Sequence, residues 1–147
     1  MQESTSSSFV PGSEPCVADE RQTILLVEDE EMVRTLLCDV LERTGYRVLP
    51  CSHPQEGIDL CLKYASTIDL LLTDIVLPGM SGPDMVIRIQ RDLPELRVVF
   101  MSGYTEHVLA EDGRLDSSVE YLQKPFSLQA LRLKLNKILR RPPGRVQ

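Results

Sequence analysis

Five short apolar runs, each parted from the next by a longer stretch, mostly of helical period, constrain this chain more than any other feature. "TILLV" at 23–27, "YRVLPC" at 46–51, "DLLLT" at 69–73, "RVVFM" at 97–101 and "VEYLQ" at 119–123 are too short for helices and suit strands. Runs of consecutive apolar residues within them call for cover on both faces. After the first run, Val33, Leu36, Leu37, Val40 and Leu41 recur at i, i+3, i+4, i+7 and i+8. That spacing is one stripe of an amphipathic helix, ending before Gly45. Ser52 and Gln55 suggest a capping box, with Pro54 in the first turn of a second helix whose inner stripe is Ile58, Cys61, Leu62 and Ala65. Pro83 opens a third helix to about Asp92, and a short one is expected from about Thr105. Ser127 caps a last helix carrying Leu128, Leu131, Leu135, Ile138 and Leu139. Strands alternating with helices form right-handed β-α-β units. The expected fold is α/β: a doubly wound five-stranded parallel sheet with helices on both faces.

This pattern occupies residues 22–140, and a chain of 147 residues has room for one such domain. Residues 1–21, rich in Ser, Glu, Pro and Gly, have no hydrophobic period and read as a disordered tail or linker. Residues 141–147, entered through two prolines, read as a flexible C-terminal tail. A net charge of −6 argues against direct nucleic-acid binding. No apolar run approaches the roughly 20 residues that span a bilayer, and no secretory signal is visible. The four cysteines (Cys16, Cys38, Cys51, Cys61) form no CxxC pair and read as reduced thiols in a cytoplasmic setting.

Open parallel sheets gather their ligands at the carboxyl ends of the strands. Glu28 and Asp29 follow the first strand, Asp74 the third, Ser102 the fourth and Lys124 the fifth. Carboxylates crowded together repel one another unless a hard cation lies among them, and magnesium, or manganese in its place, suits such a cradle. Beside a cation, a carboxylate can attack phosphorus and form an aspartyl phosphate. An ammonium and a hydroxyl then stabilise charge on the transferring group. Each residue alone has a plainer reading. "EDEE" complements a helix dipole, Ser102 or Asp74 forms a turn, and Lys124 is solvated surface. Four such coincidences at four strand ends explain less than one phosphoryl-transfer site.

"ILLVEDEE", "LLLTDIVLPGMSG", "VVFMSGYTE" and "YLQKPF" resemble, in order and spacing, the signatures of the response-regulator receiver domain. This is the CheY-like phosphoacceptor of two-component signalling, here similar to those often found in hybrid histidine kinases. The resemblance covers about residues 22–140 and implies the flavodoxin-like strand order 2-1-3-4-5. It implies that Asp74 accepts a phosphoryl group from a histidine kinase or histidine phosphotransfer domain. Glu28, Asp29, Asp74 and the backbone carbonyl of Val76 would hold magnesium, Asp29 more directly than Glu28. Glu28 stands where the family more often has Asp. Ser102 would turn toward the phosphate, Lys124 would pair with it, and Tyr121 would move inward as the aromatic switch. Pro125 would follow a cis peptide.

Val76 and Tyr104 flank the acceptor where they would shield it from water, which implies a long-lived phosphoryl state. The family is a signalling module rather than an enzyme, with at most weak self-phosphorylation and autodephosphorylation. Its readout would pass through the last helix-strand-helix face to an output protein that the sequence does not name. Arg132, Lys134, Lys137, Arg140 and Arg141 form a basic strip there, either a docking surface or a solvated helix end. Rival readings fit less well. A pseudo-receiver lacks the acidic pair, the acceptor or the lysine, and all are present. A flavodoxin-type carrier needs a phosphate cradle where "EDEE" stands. An aspartyl phosphatase needs a second acid where Val76 stands.

Overall fold

A computed structural model describes residues 21–102 and 119–139. The expected tails, Tyr104, the short helix from Thr105, Arg140 and Arg141 lie outside those residues. The described chain alternates β1 (Thr23–Val27), α1 (Glu31–Thr44), β2 (Arg47–Cys51), α2 (Pro54–Lys63), β3 (Ile68–Asp74), α3 (Gly82–Asp92), β4 (Arg97–Ser102), β5 (Val119–Gln123) and α4 (Leu128–Leu139). All strand pairs are parallel, and the spatial order is β2-β1-β3-β4-β5, the doubly wound order expected.

Alternation along the strands builds two cores. Ile24, Leu26, Leu70, Leu72, Val99 and Met101 face Leu37 and Leu41 of α1 and Leu131, Leu135 and Leu139 of α4. Leu25, Val27, Leu71, Val98 and Phe100 face the other way, toward Ile58 and Cys61 of α2 and Met85, Val86 and Ile89 of α3. Burying each of the larger side chains stabilises the fold by about 1.5–3 kcal/mol. This explains why the central strands tolerate almost no polar residue before their carboxyl ends. Burial pushes the Cys51 and Cys61 thiols up to about 12, so both remain neutral packing groups at ordinary pH.

Helix ends follow local chemistry with one correction. Gly45 takes φ 117°, and its amide donates to the carbonyls of Leu41 and Glu42, closing α1. Ser81 caps α3 through the Asp84 amide, and Ser127 caps α4 through the Ala130 amide. The expected Ser52–Gln55 box does not form. His53 stands at the N-cap of α2 without a side-chain bond to a helix amide, the Ser52 hydroxyl meets His53 Nδ1 at 2.8 Å, and Gln55 instead donates to Asp59. Leu36, Leu62 and Leu128, expected on inner stripes, are exposed, and Ala65 lies in the turn beyond the end of α2. Each helix lies on a single sheet face, so the buried arc is narrower than a full apolar stripe. No helix among the described residues is long and apolar enough to cross a membrane.

Candidate functional site

β3 extends one residue beyond its apolar run, so Asp74 is part of the sheet and pairs with Met101 of β4. The turn after it is tied down at three points. Ile75 donates its amide to the Met101 carbonyl at 3.3 Å, Gly82 donates to the Ile75 carbonyl at 2.6 Å, and Thr73 Oγ1 donates to the Asp74 carbonyl at 3.0 Å. The Asp74 backbone is therefore held before any ligand arrives.

β1 delivers the acidic pair. The Glu28 amide donates to the Cys51 carbonyl at 3.1 Å, and Glu28 Oε2 accepts from the Glu30 amide at 3.1 Å. One carboxylate oxygen from each of Glu28, Asp29 and Asp74 lies within 4.8 Å of the others. Lys124 Nζ stands 2.7 Å from Asp74 Oδ1. That contact is an ion pair made outside hydrogen-bonding geometry. Among the described residues, Glu28 Oε1, Asp74 Oδ1 and Ser102 Oγ are buried without a hydrogen-bond partner. Glu28 is 2% exposed, Asp74 5% and Ser102 0%. Buried polar groups are normally satisfied. Glu28 Oε1, buried without a partner, together with the Asp29 and Asp74 carboxylates beside it, is the donor set a hard divalent cation takes, so the residues fit magnesium.

The other expected residues gather around this rim. The Lys124 amide donates to the Ser102 carbonyl at 2.7 Å, and the Lys124–Pro125 peptide is cis. Tyr121, half-buried, stacks on Phe100 with centroids 5.7 Å apart and planes 29° from parallel. Val76 lies in the turn beyond Asp74 with its side chain exposed. Lys134 of the basic strip reaches Glu120 of β5 at 3.4 Å, while Arg132 and Lys137 are exposed. Thr73, Gly82 and Arg34 escaped sequence reasoning. Thr73 reads as one more strand residue and Gly82 as a turn former. The Arg34 side chain reaches back six residues to the Glu28 carbonyl, a contact no periodicity shows.

Burial pushes the Asp74 carboxyl up to about 8; the Glu28 carboxyl beside it raises it further, and the Lys124 ammonium opposes the rise. The sign for stability follows. An unfolded Asp releases its proton near pH 4, whereas the folded one keeps it until about pH 8. Through that window the folded state binds the extra proton, so the contribution is present below pH 4 and is lost as pH rises through 8. Asp74→Asn is neutral at every pH. Without divalent cations its melting temperature should exceed the wild type's by roughly 5 °C at pH 8, with the difference shrinking toward pH 4. Calorimetry across that range checks this, and a gap that stays constant with pH would refute it.

Residues 24–136 match the family model of the response regulator receiver domain. The chain is 33% identical over 117 residues to a response regulator receiver protein, CpdR, of Brucella abortus, covering 79% of this chain and 95% of that one. It is 32% identical over 117 residues to the sensor kinase CckA of the same organism, covering 80% of this chain but only 12% of the kinase. Among solved structures, a response regulator receiver domain protein from Clostridium thermocellum superposes with a TM-score of 0.73 at 28% identity, covering 82% of this chain and 95% of that one. With the sheet order and the acidic rim in agreement, the chain belongs to the response regulator receiver domain family of two-component signalling.

Proposed function

We propose that this receiver takes its phosphoryl group on Asp74, with Mg2+, or Mn2+ in its place, held by Glu28, Asp29, Asp74 and the backbone carbonyl of Val76. The observation that carries the reading is the gathering at one rim of three carboxylates, the buried Ser102 hydroxyl and the Lys124 ammonium 2.7 Å from Asp74 Oδ1. A carboxylate oxygen of Asp74 attacks the phosphorus of a phosphohistidine on a histidine kinase or phosphotransfer domain. An O–P bond forms as the P–N bond breaks, and the imidazole leaves with the electron pair. Bound Mg2+ supplies positive charge for the equatorial oxygens of the transferring group. Lys124 pairs with the same group, and the Ser102 hydroxyl donates to one of its oxygens.

As Ser102 turns toward the phosphate it vacates space that Tyr121 fills, a shift between two packings read by a partner at the α4–β5 face. The basic residues Arg132, Lys134 and Lys137 belong to that face. Val76, two residues past Asp74 in sequence, and Tyr104, two past Ser102, slow in-line attack by water on the phosphoryl group. Small phosphodonors serve weakly without a kinase, and self-catalysed hydrolysis is slow. The functional unit is residues 22–140, working in the cytoplasm.

Incubation with acetyl phosphate and Mg2+ should add the mass of one phosphoryl group, seen by intact mass spectrometry, and chelation of the metal should abolish the gain. A gain indifferent to chelation, or none with Mg2+ present, would overturn the reading. Lys124→Ala should slow the gain by roughly a hundredfold without weakening Mg2+, because it removes charge stabilisation from the transferring group and a cation from the site. Rapid-quench labelling measures the first effect and titration calorimetry the second. An unchanged rate would remove Lys124 from the chemistry.

A further inference from the structure

Glu28 is held in three ways, and only one of its four polar atoms is left over. Its amide donates to the Cys51 carbonyl, its Oε2 accepts from the Glu30 amide, and its carbonyl accepts from Arg34 Nη1 at 2.8 Å. The remaining atom, Oε1, is buried without a partner at the acidic rim. Of these anchors, the Arg34 contact is the one made by a long side chain. Arg34 sits in the first turn of α1, and its own amide donates to the Glu30 carbonyl at 2.9 Å. One residue thus binds both sides of the β1–α1 turn, with its backbone on Glu30 and its guanidinium on Glu28. We infer that Arg34 is a positioning residue for the cation, fixing the turn so that Glu28 Oε1 points into the site. This rests on the cation reading given above.

The inference has a sign that simpler roles lack. A bystander arginine near three carboxylates repels Mg2+, so removing it would tighten binding. An arginine that only stabilises the fold would leave the affinity of the folded protein unchanged. A positioning residue, once lost, weakens binding even though a positive charge has gone. Supports of this kind are typically worth tenfold or more in metal affinity.

The test is titration calorimetry of the full chain with Mg2+, comparing wild type, Arg34→Met and Arg34→Lys, with circular dichroism confirming that each is folded. Arg34→Met should bind Mg2+ about tenfold more weakly, and Arg34→Lys, which keeps a donor on a long stem, should recover part of the loss. Equal or tighter binding by Arg34→Met would overturn the inference while leaving the cation reading intact. Absence of Mg2+ binding by wild type would instead overturn the cation reading, and this inference with it. Should Arg34→Met fail to fold, Arg34→Gln takes its place with the same expected direction.

Discussion

Asp74→Asn gains no phosphoryl group from acetyl phosphate and Mg2+ under conditions that label the wild type fully. The substitution preserves the shape of the side chain at the end of β3 and replaces the nucleophilic oxygen pair with an amide. A carboxylate attacks phosphorus because it carries charge on oxygen; an amide does not. The rim offers two other carboxylates, which makes the experiment a real choice among three. Glu28 spends Oε2 on the Glu30 amide, and Asp29 is exposed to water. Of the three, Asp74 is the one with an ammonium at 2.7 Å. Residual labelling of Asp74→Asn, mapped by peptide mass spectrometry to Asp29 or Glu28, would move the acceptor and end the assignment.

Gly82→Ala lowers the melting temperature by about 10 °C, corresponding to roughly 3 kcal/mol. Helix propensity alone gives the opposite sign, because alanine favours a helix over glycine by about 1 kcal/mol. Space decides the matter. A Cβ at Gly82 runs into the carbonyl oxygen of Asp74 and lies 3.1 Å from both Ile75 Cα and the Phe100 ring. Two of those three obstacles are backbone, so no side-chain rotation relieves the clash. Gly79→Ala in the same turn is the control. Its φ of 84° strains an alanine, yet nothing lies within 4 Å of the added methyl. It should cost only about 1–2 kcal/mol. Because the Gly82 clash is with the peptide of Asp74, Mg2+ affinity should fall along with stability. Differential scanning calorimetry gives the first number. A Gly82→Ala protein as stable as wild type would mean the turn can open without cost.

Period and composition made the strands and their order of appearance legible, because a strand covered on both faces must be apolar at nearly every position. Leu25, Leu71 and Val99 leave little choice. The polar rim was legible for the complementary reason: Glu28, Asp74 and Ser102 each interrupt such a run at the same end. Stripe membership was less secure. Leu36 and Leu128 fit the helical period but lie at the margin of the packed arc, where one sheet face cannot reach them. The first turn of α2 through Pro54 was legible, but its cap was placed one residue early, because the Ser52 hydroxyl had a neighbouring imidazole to bond as well as the helix amides. Contacts between distant segments, such as Arg34 on the Glu28 carbonyl, depend on side-chain reach across a turn, and no periodicity encodes that.

Glu28, Asp74, Ser102 and Lys124 belong to four stretches of chain that meet only when the sheet has been assembled in its order β2-β1-β3-β4-β5. The candidate cation donors Glu28, Asp29, Asp74 and Val76 come from the ends of β1 and β3, which meet only when those strands pair, so a divalent cation held there would be a ligand of the folded sheet. At a hundred times its dissociation constant such a ligand adds about 2.7 kcal/mol to the free energy of unfolding. A cation bound at the rim would therefore couple the protein's resistance to denaturation to the free magnesium around it.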